Sequence, residues 1–184
     1  MSISDYIFKI LLIGDVPSSK TAFVKRYCYD LFNPHERSTI GVDFYSKTVI
    51  FNSKEIKLQI WDFGVEKKLR FLFPNYCKNA NGAFFMYDIT AKKSLDHLIK
   101  WVQMIREYAG NIPIMLIGSK LDLRKYRAIS QNEVKLAVKE HNLASFLEIS
   151  SKTGENVDKA FDIMINLLIE RYFQNTIVTS KHTN

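Results

Sequence analysis

The feature that most constrains this chain is an alternation. Short, continuously apolar runs take turns with longer stretches in which apolar residues recur every three to four positions. Residues 8–13 form an apolar run that stops at Gly14, and residues 83–88 and 112–118 repeat the pattern. Runs this short and this apolar read as strands buried on both faces. Residues 21–29 read as a helix, and residues 94–108 set Leu95, Leu98, Ile99, Val102 and Ile105 on one helical face. Ser130-Gln131-Asn132-Glu133 has the spacing of a capping box and opens a helix that reaches His141. Residues 146–149 form a short strand, and residues 157–173 form a long helix with Val157, Ala160, Phe161, Met164, Leu167 and Leu168 inward. The runs 42–51 and 55–61, joined by Asn52-Ser53-Lys54, read as a hairpin. Buried strands separated by helices require a mainly parallel sheet covered on both faces. The expected architecture is α/β, a six-stranded mostly parallel sheet with one antiparallel edge strand and about five helices. It forms one domain over residues 1–174, followed by a short polar tail at 175–184.

Composition narrows the function classes. With 184 residues and 47% hydrophobic content the chain can fill one core. The net charge of +7 is spread along the sequence without a dominant basic tract, so a solvated basic surface is expected rather than a nucleic-acid partner. Two cysteines, Cys28 and Cys77, are too few for a disulfide framework. No apolar run approaches the ~18 residues that span a bilayer. The last residues, Ser180-Lys181-His182-Thr183-Asn184, hold no cysteine to prenylate, so no encoded lipid anchor is expected. A cytoplasmic monomer is the expectation, with membrane association only through partners.

In a parallel sheet, ligands sit beyond the carboxyl ends of the strands, so the residues at those ends carry the functional reading. After the first strand comes Gly14-Asp15-Val16-Pro17-Ser18-Ser19-Lys20-Thr21. This is the phosphate-cradling pattern G-x-x-x-x-G-K-[ST] with Ser19 in place of its second glycine. After the third strand comes Trp61-Asp62, after the fifth Gly118-Ser119-Lys120-Leu121-Asp122, and after the last Ser150-Ser151-Lys152. Asp62 suits a magnesium site, Asp122 could accept two N–H bonds from a guanine edge, and the Lys120 stem could cover the base. Each signal alone is equally an ordinary surface turn. Their order and their placement at four strand ends are harder to reach by chance.

In these motifs the sequence resembles the Ras superfamily of small GTPases, the Rab branch most closely. Ser38-Thr39-Ile40-Gly41-Val42-Asp43-Phe44 matches the Rab switch I segment, and Lys57-Leu58-Gln59-Ile60-Trp61-Asp62 the strand leading into switch II. Met86-Tyr87-Asp88-Ile89-Thr90, Glu148-Ile149-Ser150-Ser151-Lys152 and Thr153-Gly154-Glu155-Asn156-Val157 are also similar to the family. The resemblance runs from Tyr6 to Tyr172 and implies a P-loop NTPase (small G-protein) fold. It implies GTP or GDP and Mg2+ as ligands, protein effectors and regulators at the switch regions, and a role in vesicle trafficking and signalling. By resemblance Gly14, Asp15, Ser18 and Ser19 belong to the phosphate loop, and Lys20 would neutralise the terminal phosphates. Thr21, Thr39 and Asp62 would serve magnesium. Phe32 would lie against the guanine face, and Ser119, Lys120, Asp122, Ser150, Ser151 and Lys152 would bind the base.

The sequence also departs from the family pattern. Only 7 glycines are present, and Val16, Ser19 and Val65 stand where the family usually has glycine or a small residue. Pro17 replaces a residue whose N–H would face the bridge between the β and γ phosphates, and proline has no N–H. An ungapped count from Trp61 to Gly82 puts Val65 at the glycine that meets the γ phosphate. It puts Glu66, the candidate catalytic residue, at the glutamine that orients water. A shift by one residue would give the glycine role to Gly64. Ser119 replaces the asparagine of the base motif. The expectation is a Rab-like guanine-nucleotide switch with slow GTP hydrolysis. The alternative is a nucleotide-free pseudo-GTPase that serves as an interaction module.

Overall fold

The computed structural model describes residues 4–15, 19–64 and 72–181, with the backbone alone for 175–181. Six strands are present: β1 (Tyr6–Gly14), β2 (Val42–Phe51), β3 (Lys54–Phe63), β4 (Gly82–Asp88), β5 (Ile114–Ser119) and β6 (Ser145–Glu148). Five α-helices are described, α1 (Lys20–Tyr29), α2 (Phe73–Cys77), α3 (Leu98–Ala109), α4 (Gln131–Glu140) and α5 (Val157–Lys181). The sheet order is β2-β3-β1-β4-β5-β6, with β2 antiparallel at one edge and every other pairing parallel. The chain thus leaves the central β1 toward both sides, and the carboxyl ends of β1, β3, β4, β5 and β6 face the same way. That arrangement creates a crevice at the end of β1.

Side-chain alternation sends Ile10 and Leu12 to one face of β1, and Leu11 and Ile13 to the other. The first face packs on Phe23, Val24 and Tyr27 of α1 and on Phe161, Met164, Ile165 and Leu168 of α5. The second packs on Phe73 of α2, Leu98, Trp101 and Ile105 of α3 and Val134 of α4. Each such side chain contributes about 1.5–3 kcal/mol when fully buried. Among the described residues, no helix is long and apolar enough to cross a membrane.

The hairpin turn is Asn52-Ser53, both at positive φ (49° and 62°), the geometry whose twist matches the flanking strands. The capping box of α4 forms, with Ser130 Oγ accepting from the Glu133 N–H and Glu133 returning a bond to the Ser130 N–H. Strand ends shift by a residue or two, and two helix boundaries differ from the sequence expectation by a turn or more. The helix expected from residue 94 begins at Leu98. Ser94 instead lies in a 3₁₀ turn, where its Oγ accepts from the Asp88 N–H and reaches the Ala91 carbonyl at 2.6 Å. The final helix, expected to stop at 173, continues to Lys181, because no glycine or proline interrupts it. The residues read as a polar tail therefore carry helical backbone through Lys181.

Candidate functional site

A cavity of about 430 Å³ opens at the carboxyl ends of the strands. It is lined by Ser19, Lys20 and Thr21 at the start of α1, by Phe32 and Thr39 of the α1–β2 segment, by Gly64 after β3, and by Lys120, Asp122, Ser151 and Lys152 after β5 and β6. Residues far apart in sequence are assembled here because parallel strands of one sheet end side by side.

At the first end lies a buried cation. Lys20 is 8% exposed, and its Nζ donates to the Gly14 carbonyl at 3.1 Å. Burial holds the ammonium below the ordinary lysine range, against Asp62 and Asp15, which favour the charge. Gly14 itself has φ +142°, and a Cβ there would stand 2.2 Å from the Met86 carbonyl oxygen, so only glycine lets the loop leave the sheet this close to β4. Ser19, in the position of the missing loop glycine, keeps a left-handed backbone at φ 66° and ψ 30°.

Beside Lys20 three oxygen groups converge. Thr21 Oγ1 donates to Asp62 Oδ2 at 2.6 Å and Thr39 Oγ1 to the same oxygen at 3.0 Å, while the two hydroxyl oxygens lie 2.7 Å apart. Asp62 is fully buried, and its Oδ1 has no hydrogen-bond partner among the described residues. Burial pushes this carboxyl above its ordinary range, although Thr21, Lys20 and Thr39 pull it down. A buried carboxylate oxygen without a partner costs free energy unless something supplies positive charge or a donor. Hard oxygen donors with one carboxylate fit magnesium, which takes its remaining ligands from water and substrate phosphates. Among the described residues, no group of three or more His, Cys, Asp or Glu side chains could hold a metal alone.

The far end of the cavity holds the groups expected at a base. Lys120 Nζ pairs with buried Asp88 Oδ2 at 2.7 Å, which fixes its stem. Asp122 Oδ1 accepts from Ser150 Oγ at 2.6 Å. Ser150 Oγ in turn accepts from the Thr153 N–H, and the Ser150 carbonyl accepts from the Gly154 N–H. The N–H groups of Ser151 and Lys152 find no acceptor among the described residues, and both residues line the cavity. The Ser151 Oγ is also buried without a partner. Two adjacent free N–H donors next to a carboxylate can receive a carbonyl and a pair of N–H groups, the pattern of a guanine edge.

Several candidate residues lie elsewhere. Asp15 turns to α3, where its Oδ2 lies 2.7 Å from His97 Nδ1. Ser119 is fully buried, and its hydroxyl donates to the Tyr87 carbonyl at 2.8 Å instead of facing the cavity. Ser150 acts through Asp122 and the turn, not at the cavity wall. Val16, Pro17, Ser18, Val65 and Glu66 lie outside the described residues. Gly64 stands against switch I: its N–H donates to the Gly41 carbonyl at 2.8 Å, and a Cβ would approach the Thr39 carbonyl oxygen to 2.1 Å. Three contributors escape the sequence reading. Asp88 ends a strand, and the strand-end logic that singles out Asp62 would have found it. Arg37 lines the cavity from switch I. Arg26 grips the 151–152 turn from within a helix, where no local pattern announces it.

The fold and this cavity define a nucleotide-binding α/β protein of the phosphate-loop class. The family model of the Ras family matches residues 9–170, and the chain belongs to that family. It is similar to the human Ras-related protein Rab-30, with 39% identity over 98% of this chain and 90% of that protein. It is 40% identical to the GTP-binding protein ypt3 of Schizosaccharomyces pombe over 88% of this chain and 75% of that protein. The Ras-related protein Rab-1 of Theileria parva is 38% identical over 92% of this chain and 78% of its own length.

Proposed function

We propose that the protein is a Rab-like guanine-nucleotide switch of vesicle trafficking with slow GTP hydrolysis. The observation that carries this reading is the convergence of Thr21, Thr39 and Asp62 beside buried Lys20, across one cavity from Lys120, Asp122 and the free N–H groups of the 151–152 turn. Lys20 binds the terminal phosphates. Thr21, Thr39 and Asp62 would hold magnesium, which offsets phosphate charge when bound. Asp122 and the turn select guanine, and the Lys120 stem covers the ring.

Slow turnover is supported by the sequence around the γ phosphate. Pro17 has no N–H to donate, Val16 is branched where the family usually has glycine or a small residue, and Glu66 is a carboxylate where the family has a neutral amide. Oriented water and preorganised donors provide most of the rate in this chemistry. Effectors would meet an exposed face on β2, β3 and α2. There Ile40 and Phe44 are exposed, Phe44 packs edge-on to Trp61 with ring centres 5.2 Å apart, and Trp61 packs on Tyr76 at 5.4 Å.

The test is direct. Heat-denatured purified protein is expected to release GTP or GDP on ion exchange. Stripped protein is expected to melt higher with GTP and magnesium, because a ligand at a hundred times its Kd stabilises by about 2.7 kcal/mol. Single-turnover phosphate release is expected to be far slower than in Rab proteins that keep the glutamine. The absence of both nucleotide release and a shifted melt would overturn guanine-nucleotide binding, and ordinary phosphate release would overturn slow turnover alone.

A further inference from the structure

Arg26 sits on the second turn of α1, the helix that opens with Lys20 and Thr21. Its side chain is 19% exposed, and its whole fork is engaged. Nε donates to the Ser151 carbonyl and Nη2 to the Lys152 carbonyl, each at 2.8 Å. Nη1 donates to Asp30 Oδ1 at 2.7 Å and to the Asp30 carbonyl at 3.3 Å. The Asp30 side chain is 89% exposed, so that ion pair adds little by itself. The two carbonyls are another matter. They belong to consecutive residues of the turn whose N–H groups are free at the cavity.

A trans peptide is planar, and its C=O and N–H point in opposite directions. A guanidinium that holds the Ser151 carbonyl therefore aims the Lys152 N–H the other way. A second grip on the Lys152 carbonyl fixes the next plane, whose Thr153 N–H goes to Ser150 Oγ. A rigid planar fork can set two peptide planes at once, which a lysine cannot.

We propose that Arg26 is the positioning residue for base recognition, aiming the Lys152 N–H at the 6-oxygen of guanine, while the Gly154 N–H holds the Ser150 carbonyl in the neighbouring plane. It also ties the base end of the cavity to the phosphate end, because the same helix carries Lys20 and Thr21. This inference rests on the guanine-nucleotide reading above.

The experiment compares two ligands on the full chain. GDP carries the 6-oxygen. 2-Aminopurine riboside diphosphate keeps the 2-amino group, ribose and phosphates, and lacks that oxygen together with the N1–H that Asp122 would accept. Wild type is expected to prefer GDP. Arg26→Gln and Arg26→Lys are expected to lose about tenfold in GDP affinity, one well-made hydrogen bond's worth. Their affinity for the 2-aminopurine analogue is expected to stay within twofold, so the preference for GDP narrows about tenfold in a double cycle, leaving the share that Asp122 supplies. Asp30→Asn, which removes the exposed ion pair but tolerates the left-handed backbone at that position (φ 54°), is expected to keep the wild-type preference. Circular dichroism and the melt of nucleotide-free protein report the fold separately. An equal loss for both ligands would make Arg26 merely structural and overturn the proposal, as would GDP affinity unchanged in both Arg26 variants. If wild type itself shows no preference for GDP, the guanine reading fails in that arm and the inference falls with it.

Discussion

Ser19 shows how a residue can change while the backbone it inherits does not. It holds φ 66° without a side-chain cap bond, a conformation that costs a residue with a Cβ about 1 kcal/mol. Ser19→Gly is therefore expected to raise stability by about 1 kcal/mol, seen as a higher urea midpoint at unchanged slope. An unchanged midpoint would mean that the hydroxyl compensates for the strain. Much of the site is legible at this scale, because strand ends can be found by eye. Lys20, Thr21, Lys120 and Asp122 line one cavity, and Asp62 lies behind Thr21, bonded to its hydroxyl. Ser119 is not legible in the same way. Its position suggests a base contact, but a buried hydroxyl must find an acceptor, and the nearest is the Tyr87 carbonyl on the adjacent strand. Arg26 is invisible because its partners lie 125 and 126 positions away in sequence.

Elements carry their own signals with unequal fidelity. The capping box of α4 is written in four consecutive residues and forms as written, with the Glu133 carboxyl drawn down to about 2, first by the Ser130 N–H. Ser130→Ala is expected to cost about 1 kcal/mol, measured by urea denaturation. No loss would show that the first turn of α4 is held by packing of Val134 instead. The strands are legible because a sheet covered on both faces demands unbroken apolar runs. The start of α3 is not, because Ser94 is taken by Asp88 and Ala91, and periodicity knows nothing of such bonds. The end of α5 is not, because a polar sequence does not by itself stop a helix that lacks a breaker.

At the scale of the whole molecule, burial of acidic protons sets the response to alkali. Burial pushes the Cys77 thiol up to about 12 and the Cys28 thiol up to about 11, with Lys9 and Lys47 respectively opposing it. Burial likewise raises the phenols of Tyr27, Tyr45 and Tyr87. In the unfolded chain thiols ionise near 9.0 and phenols near 10.0, so above those values the unfolded state has released protons that the folded state still holds. Stability must then fall as pH rises through this range. A urea midpoint that declines steadily from about pH 8.5 to 10.5 is expected. It should decline even though the net charge passes through zero near 9.3, where repulsion is least. A midpoint that stays level across this range would contradict this. The same burial has a mechanical side. Phe161 of α5 lies on Tyr27 with ring centres 3.5 Å apart and on Phe23 at 5.0 Å, so α5 is bolted by its rings to α1. A pull on the far end of α5 is borne by the helix whose first residues, Lys20 and Thr21, line the cavity. Tension along the chain and the shape of that cavity are thereby joined in one lever.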